Sequence, residues 1–314
     1  MQVMAAVDSI QAQTLSPEAL NHLLSTNPVQ IPGPQLNQQF ADTLNAQLAG
    51  QINPFLAQLR TRLGLVVKAK ELGGSRVLTI TPKKIAKSRR RVAGIYVHGG
   101  GFALLSANDY TAYRMAHDLG VVVYSVDYDL SPRVQLPIAL EQTARACRAA
   151  SRQYRRVVVA GSSAGANLLF TTVLRASRGE FDPPAAAGLF SPAADLRAIG
   201  DSYVANDGRD PLLTRDTMTK LVAAYLGSTP SGDPAASPIL ANLRSGFVPT
   251  VINTGTRDLL LSDGVRLHRT MRDAGLDIRL RVWEGMWHAF EGVPGLPEGD
   301  RALGEVFGFL EQHL

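Results

Sequence analysis

The apolar run Arg156–Ala160 leads without a spacer into Gly161-Ser162-Ser163-Ala164-Gly165, and a helical pattern over Ala166–Ala176 follows at once. A strand that turns into a helix within five residues needs a sheet with helices packed on it. The same rhythm recurs along most of the chain. Short apolar runs predict strands at Val77–Ile80, Gly94–Val97, Val121–Val126, Val157–Ala160, Ala186–Phe190, Thr250–Asn253 and Ile278–Val282. Longer periodic stretches predict helices at Tyr110–Leu119, Ile138–Arg152, Ala166–Ala176 and Asp263–Ala274. Several runs are apolar throughout rather than alternating, as expected of strands covered on both faces. The fold class is therefore α/β, with a mostly parallel central sheet flanked by helices. A chain of 314 residues, 45% of them hydrophobic, can fill one large domain with a small attachment.

Two intervals break the rhythm. Residues 1–50 are polar, and their helical patterns are interrupted by Pro28, Pro32 and Pro34; Ser16 followed by Pro17 reads as a helix start with its cap. Between Asp195 and Pro249 a helical pattern at Thr214–Leu226 has no strand beside it. Residues 1–50 are too polar to form a core of their own, and the second interval reads as an insertion. The expected organisation is a helical cap, residues 1–50 joined by about 197–235, over a catalytic domain of residues 51–314.

Composition narrows the classes of function. The single cysteine, Cys147, excludes an internal disulfide framework and a cysteine-based metal site. No apolar run approaches the roughly 18 residues needed to span a membrane, and Met1–Thr14 has neither a basic start nor an apolar block, so a cytoplasmic setting is expected. The net charge of +5 is concentrated at Lys83, Lys84, Lys87, Arg89, Arg90 and Arg91, between two expected strands. No nucleic-acid motif accompanies them, and they read as a solvated turn.

The chemistry is carried by three segments. Gly161–Gly165 in its strand–turn–helix setting is the G-x-S-x-G nucleophile elbow of the α/β-hydrolase fold, with Ser163 as nucleophile at the positive end of a helix. His98-Gly99-Gly100-Gly101-Phe102 ends a strand, and three glycines let backbone N–H groups approach a developing oxyanion. The expected donors are Gly100, Gly101 and Ala164, with His98 orienting the loop. A serine needs a base and the base an orienting carboxylate, in the chain order Ser, Asp or Glu, His. Of His268, His288 and His313, only His288 lies in a loop after a strand. Asp258 closes the preceding strand, and Asp263 reads as the side-chain cap of the next helix. Phe102, Ser162 and Trp287, next to these groups, are expected to contact substrate.

With these residues in place the chain resembles the bacterial hormone-sensitive-lipase family of esterases (family IV). The resemblance rests on His98–Phe102, Val126-Asp-Tyr128, Gly161–Gly165, Ser191-Pro192 with Asp195-Leu196, Asp210-Pro-Leu-Leu-Thr214, Ala236-Ser-Pro238, Asp258 and Gly285-Met-Trp-His288. It implies a carboxylesterase acting on short acyl esters, without metal or cofactor, under a cap that narrows the acyl pocket, and a homodimer through the last strand. The C-terminal third also resembles monoterpene lactone hydrolases, which points to cyclic esters. Four positions depart from the family pattern. Ser162 stands where the elbow usually carries Asp and Ala166 where it carries Gly, and Tyr128-Asp-Leu-Ser-Pro-Arg133 inverts two charges, at Asp129 and Arg133. Two other functions share this scaffold: amide or carbamate hydrolysis, and ligand binding by a receptor that lacks a working base.

Overall fold

The computed structural model describes residues 7–243 and 247–314, so the first six residues of the segment read for a leader lie outside the described part. Eight strands form one sheet: β1 (Leu65–Leu72), β2 (Ser75–Pro82), β3 (Val92–Val97), β4 (Val122–Val126), β5 (Arg156–Ser162), β6 (Ala186–Phe190), β7 (Thr250–Gly255) and β8 (Ile278–Trp283). Their order is β1-β2-β4-β3-β5-β6-β7-β8. β1 and β2 pair antiparallel, β2 pairs antiparallel with β4, and every other pairing is parallel. Each of the seven expected strands is present.

β1 escaped the sequence reading for a physical reason. Its residues Leu-Val-Val-Lys-Ala-Lys-Glu-Leu are buried only at the two ends, because the strand is at the sheet edge and pairs only with β2. An edge strand with lysines outward carries neither the continuous apolar run nor the clean alternation that marks covered strands. By contrast, β3 is buried at all six positions and β5 at all but Arg156. Full burial of one valine or leucine side chain is worth about 1.5–3 kcal/mol, so these central strands hold the sheet.

The helices are α1 (Pro17–Ser25), α2 (Gln38–Arg62), α3 (Tyr110–Leu119), α4 (Ile138–Gln153), α5 (Ala164–Ser177), α6 (Ser202–Ala205), α7 (Arg215–Leu226), α8 (Leu261–Asp273) and α9 (Pro297–Glu311). α5, which starts directly after Ser163, is buried along almost its whole length. The serine cap expected at α1 forms: Ser16 Oγ accepts from Ala19 N–H at 3.1 Å. The same serine donates to Glu298 Oε2 at 2.8 Å and so anchors α1 to α9. The basic stretch 83–91 is a mostly exposed connection between β2 and β3. Among the described residues no helix is long and apolar enough to cross a membrane.

α2 runs unbroken through residues 50 and 51, with Pro54 inside it. It is tied to the glycine loop after β3: Asn45 donates to Ala103 O at 3.0 Å and accepts from Leu105 N–H at 2.8 Å. α7 packs there too, through Leu221, beside Ile31, Leu36, Ala41 and Leu104.

Candidate active site

The end of β5 carries a backbone that ordinary residues avoid. Ser163 has φ 54° and ψ −117°, a strained conformation that lifts its side chain clear of the strand and the helix. The turn closes only with glycine at position 165: a Cβ there would lie 2.1 Å from Val97 O, on the neighbouring strand. Ala164 opens α5 behind the serine.

His288 Nε2 lies 2.8 Å from Ser163 Oγ, and His288 Nδ1 lies 2.9 Å from Asp258 Oδ1. With Nδ1–H donating to the carboxylate, Nε2 is left to accept the serine proton. All three residues are buried, Asp258 completely. Asp258 is further fixed by the Thr254 hydroxyl on Oδ2 at 2.7 Å and by Leu260 N–H on Oδ1 at 2.8 Å. Burial alone would raise the pKa of Asp258; the charge and hydrogen bond of His288, helped by the Ser191 and Thr254 hydroxyls, outweigh it and hold the carboxyl below its usual range. Burial would lower His288; the charge and hydrogen bond of Asp258, then the charges of Asp210 and Glu291, outweigh it and raise the imidazole.

The glycine loop meets the elbow. A Cβ on Gly99 would lie 3.2 Å from Ser163 Cβ, and Gly100, at φ 96°, could carry none, because it would fall 2.1 Å from Leu104 O. His98 is buried and its Nδ1 makes the expected loop-orienting hydrogen bond, to Gly99 O at 2.8 Å. The Tyr128 hydroxyl reaches His98 O at 2.9 Å and Gly99 O at 3.1 Å, beneath the stacked His98 ring. Burial pushes His98 down to about 4, so its ring is neutral near pH 7.

A cavity of about 910 Å³ opens onto Ser163 and His288 and is walled by α2, the glycine loop, α7 and the turn after His288. Gly100, Gly101 and Ser162 line it. Phe102 and Trp287 do not, which corrects the expectation that they contact substrate. Phe102 stacks face to face on Tyr225 of α7 at 3.7 Å, and Trp287 is fully buried against His22 of α1 at 4.5 Å. Both are large aromatics next to a functional residue whose backbone turns them into the core. Asp263 also departs from its expected place. It lies inside the first turn of α8, caps nothing, and accepts from Asp195 N–H at 2.9 Å and the Tyr203 hydroxyl at 3.2 Å.

Two acidic residues in the site had no role assigned from sequence. Glu291 is buried and accepts from Ser162 Oγ at 2.9 Å. Asp210 accepts from the backbone of His288 and of Leu259. Neither had a strand end or a spacing rule to mark it; Asp210 stood only within a family motif. Among the described residues, Asp210, Asp258 and His288 bring three possible metal ligands within 4.8 Å of one another. Those atoms are already engaged, Asp258 with His288 and Asp210 with backbone N–H groups.

Residues 94–292 match the family described as the alpha/beta hydrolase fold. An acetyl-hydrolase of Streptomyces hygroscopicus is 33% identical over 223 residues, 69% of this chain and 74% of that one. An esterase named E25 superposes with a TM-score of 0.87 at 31% identity, over 96% of this chain and 95% of that one. A second esterase, from the bacterial hormone-sensitive lipase family, superposes with a TM-score of 0.75 at 28% identity, over 80% and 85% of the two chains. The chain belongs to the α/β-hydrolase fold family, in its hormone-sensitive-lipase branch. This hydrolase is a carboxylic ester hydrolase, as its esterase and acetyl-hydrolase relatives are. The family's charge pattern is inverted at two positions, and both find partners: Asp129 pairs with Arg76 at 2.8 Å, and Arg133 reaches Asp42 of α2 at 3.2 Å. The departure at position 162 is likewise absorbed, by the hydrogen bond from Ser162 to Glu291.

Proposed function

We propose that this esterase hydrolyses short-chain acyl esters, cyclic esters among them, through an acyl-enzyme on Ser163. The observation that carries the reading is the unbroken hydrogen-bond line from Ser163 Oγ through His288 to Asp258 at 2.8 and 2.9 Å. Ser163 attacks the ester carbonyl while His288 Nε2 takes its proton, and Asp258 holds the tautomer and stabilises the imidazolium. The N–H groups of Gly100, Gly101 and Ala164 receive the oxyanion, each worth about 3–4 kcal/mol to the transition state. His288 then protonates the leaving alcohol. The same imidazole next activates water, which attacks the acyl carbonyl, breaks the bond to Ser163 Oγ and releases the acid. No step needs a metal or a cofactor.

The short-chain preference is supported by the acetyl-hydrolase relative, and the roof of the cavity sets its limit. In this reading α1, α2 and the segment 197–235 form a cap, whose boundary with the catalytic domain falls after α2, near Gly64, rather than at residue 50. A dimer through β8 fits its unpaired outer edge, where Val282 is exposed, and sedimentation of the intact protein tests it.

The deciding experiment is turnover of p-nitrophenyl esters from acetate to palmitate, with Ser163→Ala alongside. Activity on two- to eight-carbon chains that disappears in the variant is the expected result. Retained activity in Ser163→Ala would overturn the assignment, and a wild type that a fluorophosphonate fails to label would favour the receptor reading instead.

A further inference from the structure

We propose that Asp210, with Asn206, is a clamp in the insertion after β6 that positions the acid and the base relative to each other. The proposal rests on the triad reading above. Asp210 is 1% exposed, and its carboxylate accepts four backbone N–H groups from three segments. Oδ1 takes Leu212 at 2.9 Å and Leu213 at 3.3 Å, within the insertion. Oδ2 takes Leu259, the residue after Asp258, at 2.9 Å, and His288 itself at 3.2 Å. One oxygen therefore holds the backbone of the acid's turn and the backbone of the base's turn together.

Asn206 secures the other side of the acid's turn. Its side-chain amide donates to Asp258 O at 2.8 Å and Thr256 O at 3.1 Å, and its backbone carbonyl accepts from Asp210 N–H at 3.1 Å. The two turns leave the paired strands β7 and β8 and are tied near the sheet by Thr256 N–H to Trp283 O and Arg257 N–H to Met286 O, both at 2.9 Å; beyond those bonds, Asp210 joins Leu259 to His288. The 2.9 Å contact between His288 and Asp258 needs both backbones held, and a carboxylate that accepts several N–H groups is among the stronger ways to hold them. The same insertion reaches the substrate: Leu212 and Leu213, bonded to Asp210 Oδ1, line the cavity. The segment that walls the cavity thereby also sets the geometry of the proton relay. Asp210 is a positioning residue, since it touches the backbone of the triad and neither substrate nor the reacting atoms.

Its charge gives a second readout. Three carboxylates face the His288 imidazole: Asp258 from the turn after β7, Asp210 from the insertion, and Glu291 from its own turn. Removing one negative charge makes the imidazolium easier to deprotonate.

The test is Asp210→Asn and Asn206→Ala in the full-length protein, with kcat expressed per serine labelled at the fluorophosphonate endpoint. Misplacing a catalytic group by about 1 Å costs on the order of 100-fold, so kcat per labelled serine should fall about 10- to 100-fold in each variant, with KM within about twofold. The acidic limb of the kcat/KM profile should move to lower pH in Asp210→Asn and stay in place in Asn206→Ala, which changes no charge. A purely structural role would lower the number of labelled serines and leave turnover per serine unchanged. That outcome overturns the clamp, and Asn206→Ala decides alone if Asp210→Asn fails to fold. Full activity in Ser163→Ala would instead remove the triad reading; a dead Ser163→Ala beside clamp variants of wild-type turnover would remove the clamp only.

Discussion

Asp258 and Asp263 are five residues apart, and their surroundings give them opposite tasks. Asp258 is held ionised by His288 and two hydroxyls, after burial has worked against it. Asp263, equally buried, has its carboxyl pushed up to about 8 by burial, with the nearby Asp195 charge adding to the shift. Asp258→Asn should keep the fold and lower kcat about 10⁴-fold, because the amide favours the wrong imidazole tautomer; steady-state kinetics on p-nitrophenyl acetate checks this. Asp263→Asn keeps an acceptor for Asp195 N–H and the Tyr203 hydroxyl and should retain activity. The folded state of the wild type binds a proton at Asp263 that the unfolded chain has already lost, so stability falls as pH rises from about 4 to about 8. Asp263→Asn lacks that decline, and urea unfolding at pH 5 and pH 9 should show a variant that gains on the wild type at the higher pH. Glu291 supports the positive form of His288 only while ionised, and burial pushes its own carboxyl up to about 7, so Glu291→Gln should move the acidic limb of kcat/KM downward in pH by less than Asp210→Asn does. An unmoved limb would remove Glu291 from the electrostatics of the base.

At the scale of elements, function depends on where α2 and α7 lie over the sheet. α2 is mostly polar and only Ala41, Leu56 and Leu59 of it are buried, so tertiary contacts rather than its own composition keep it in place. Its hydrogen bonds through Asn45 fasten it to the loop that would supply oxyanion donors, which couples the cavity wall to the catalytic end of β3. Ala49 of α2 lines the cavity. Ala49→Trp should fill the space that longer acyl chains need and leave acetate turnover nearly unchanged. Since each methylene in an apolar pocket is worth about 1–3 kcal/mol, the octanoate-to-acetate ratio of kcat/KM should fall at least about tenfold. An unchanged ratio would place the chain elsewhere in the cavity.

The molecule as a whole carries a formal charge of +5, yet its cavity is acidic. Asp42, Asp109, Asp127, Asp129 and Glu291 line it against Arg76, which pairs with Asp127 and Asp129, and Arg133, which pairs with Asp42. Burial pushes the carboxyls of Asp109 and Glu291 up to about 6 and about 7, so the negative charge of the lining grows across the neutral range. Walls of one sign focus the field inside a cleft. Anionic esters such as hemisuccinates should therefore be poorer substrates than neutral esters of equal length, by about tenfold at low salt, and added salt should narrow the gap. The carboxylate product is repelled by the same lining. Equal rates for the anionic and the neutral ester would show that these charges are screened or neutralised in the cavity.

Much of the site could be read before any coordinate, because each part has a local cause. A nucleophile elbow must be glycine, serine and glycine between a strand and a helix, since only that backbone turns so sharply; Asp258 and His288 then follow, at later strand ends, from the chain order of this fold, Ser then Asp then His. The central strands were legible because burial on both faces leaves an unbroken apolar run. What the chain could not announce are features set by contacts distant in sequence. β1 carries an edge strand's mixed composition, so nothing local separates it from a loop. Phe102 and Trp287 turn into the core because α7 and α1 offer them rings to stack on. Asp210 and Glu291 lie beside His288 only because the insertion and the turn after β8 converge on it. A hydrogen bond across 78 residues, such as that from His288 N–H to Asp210, has no periodicity to betray it, and only tertiary packing brings its ends together.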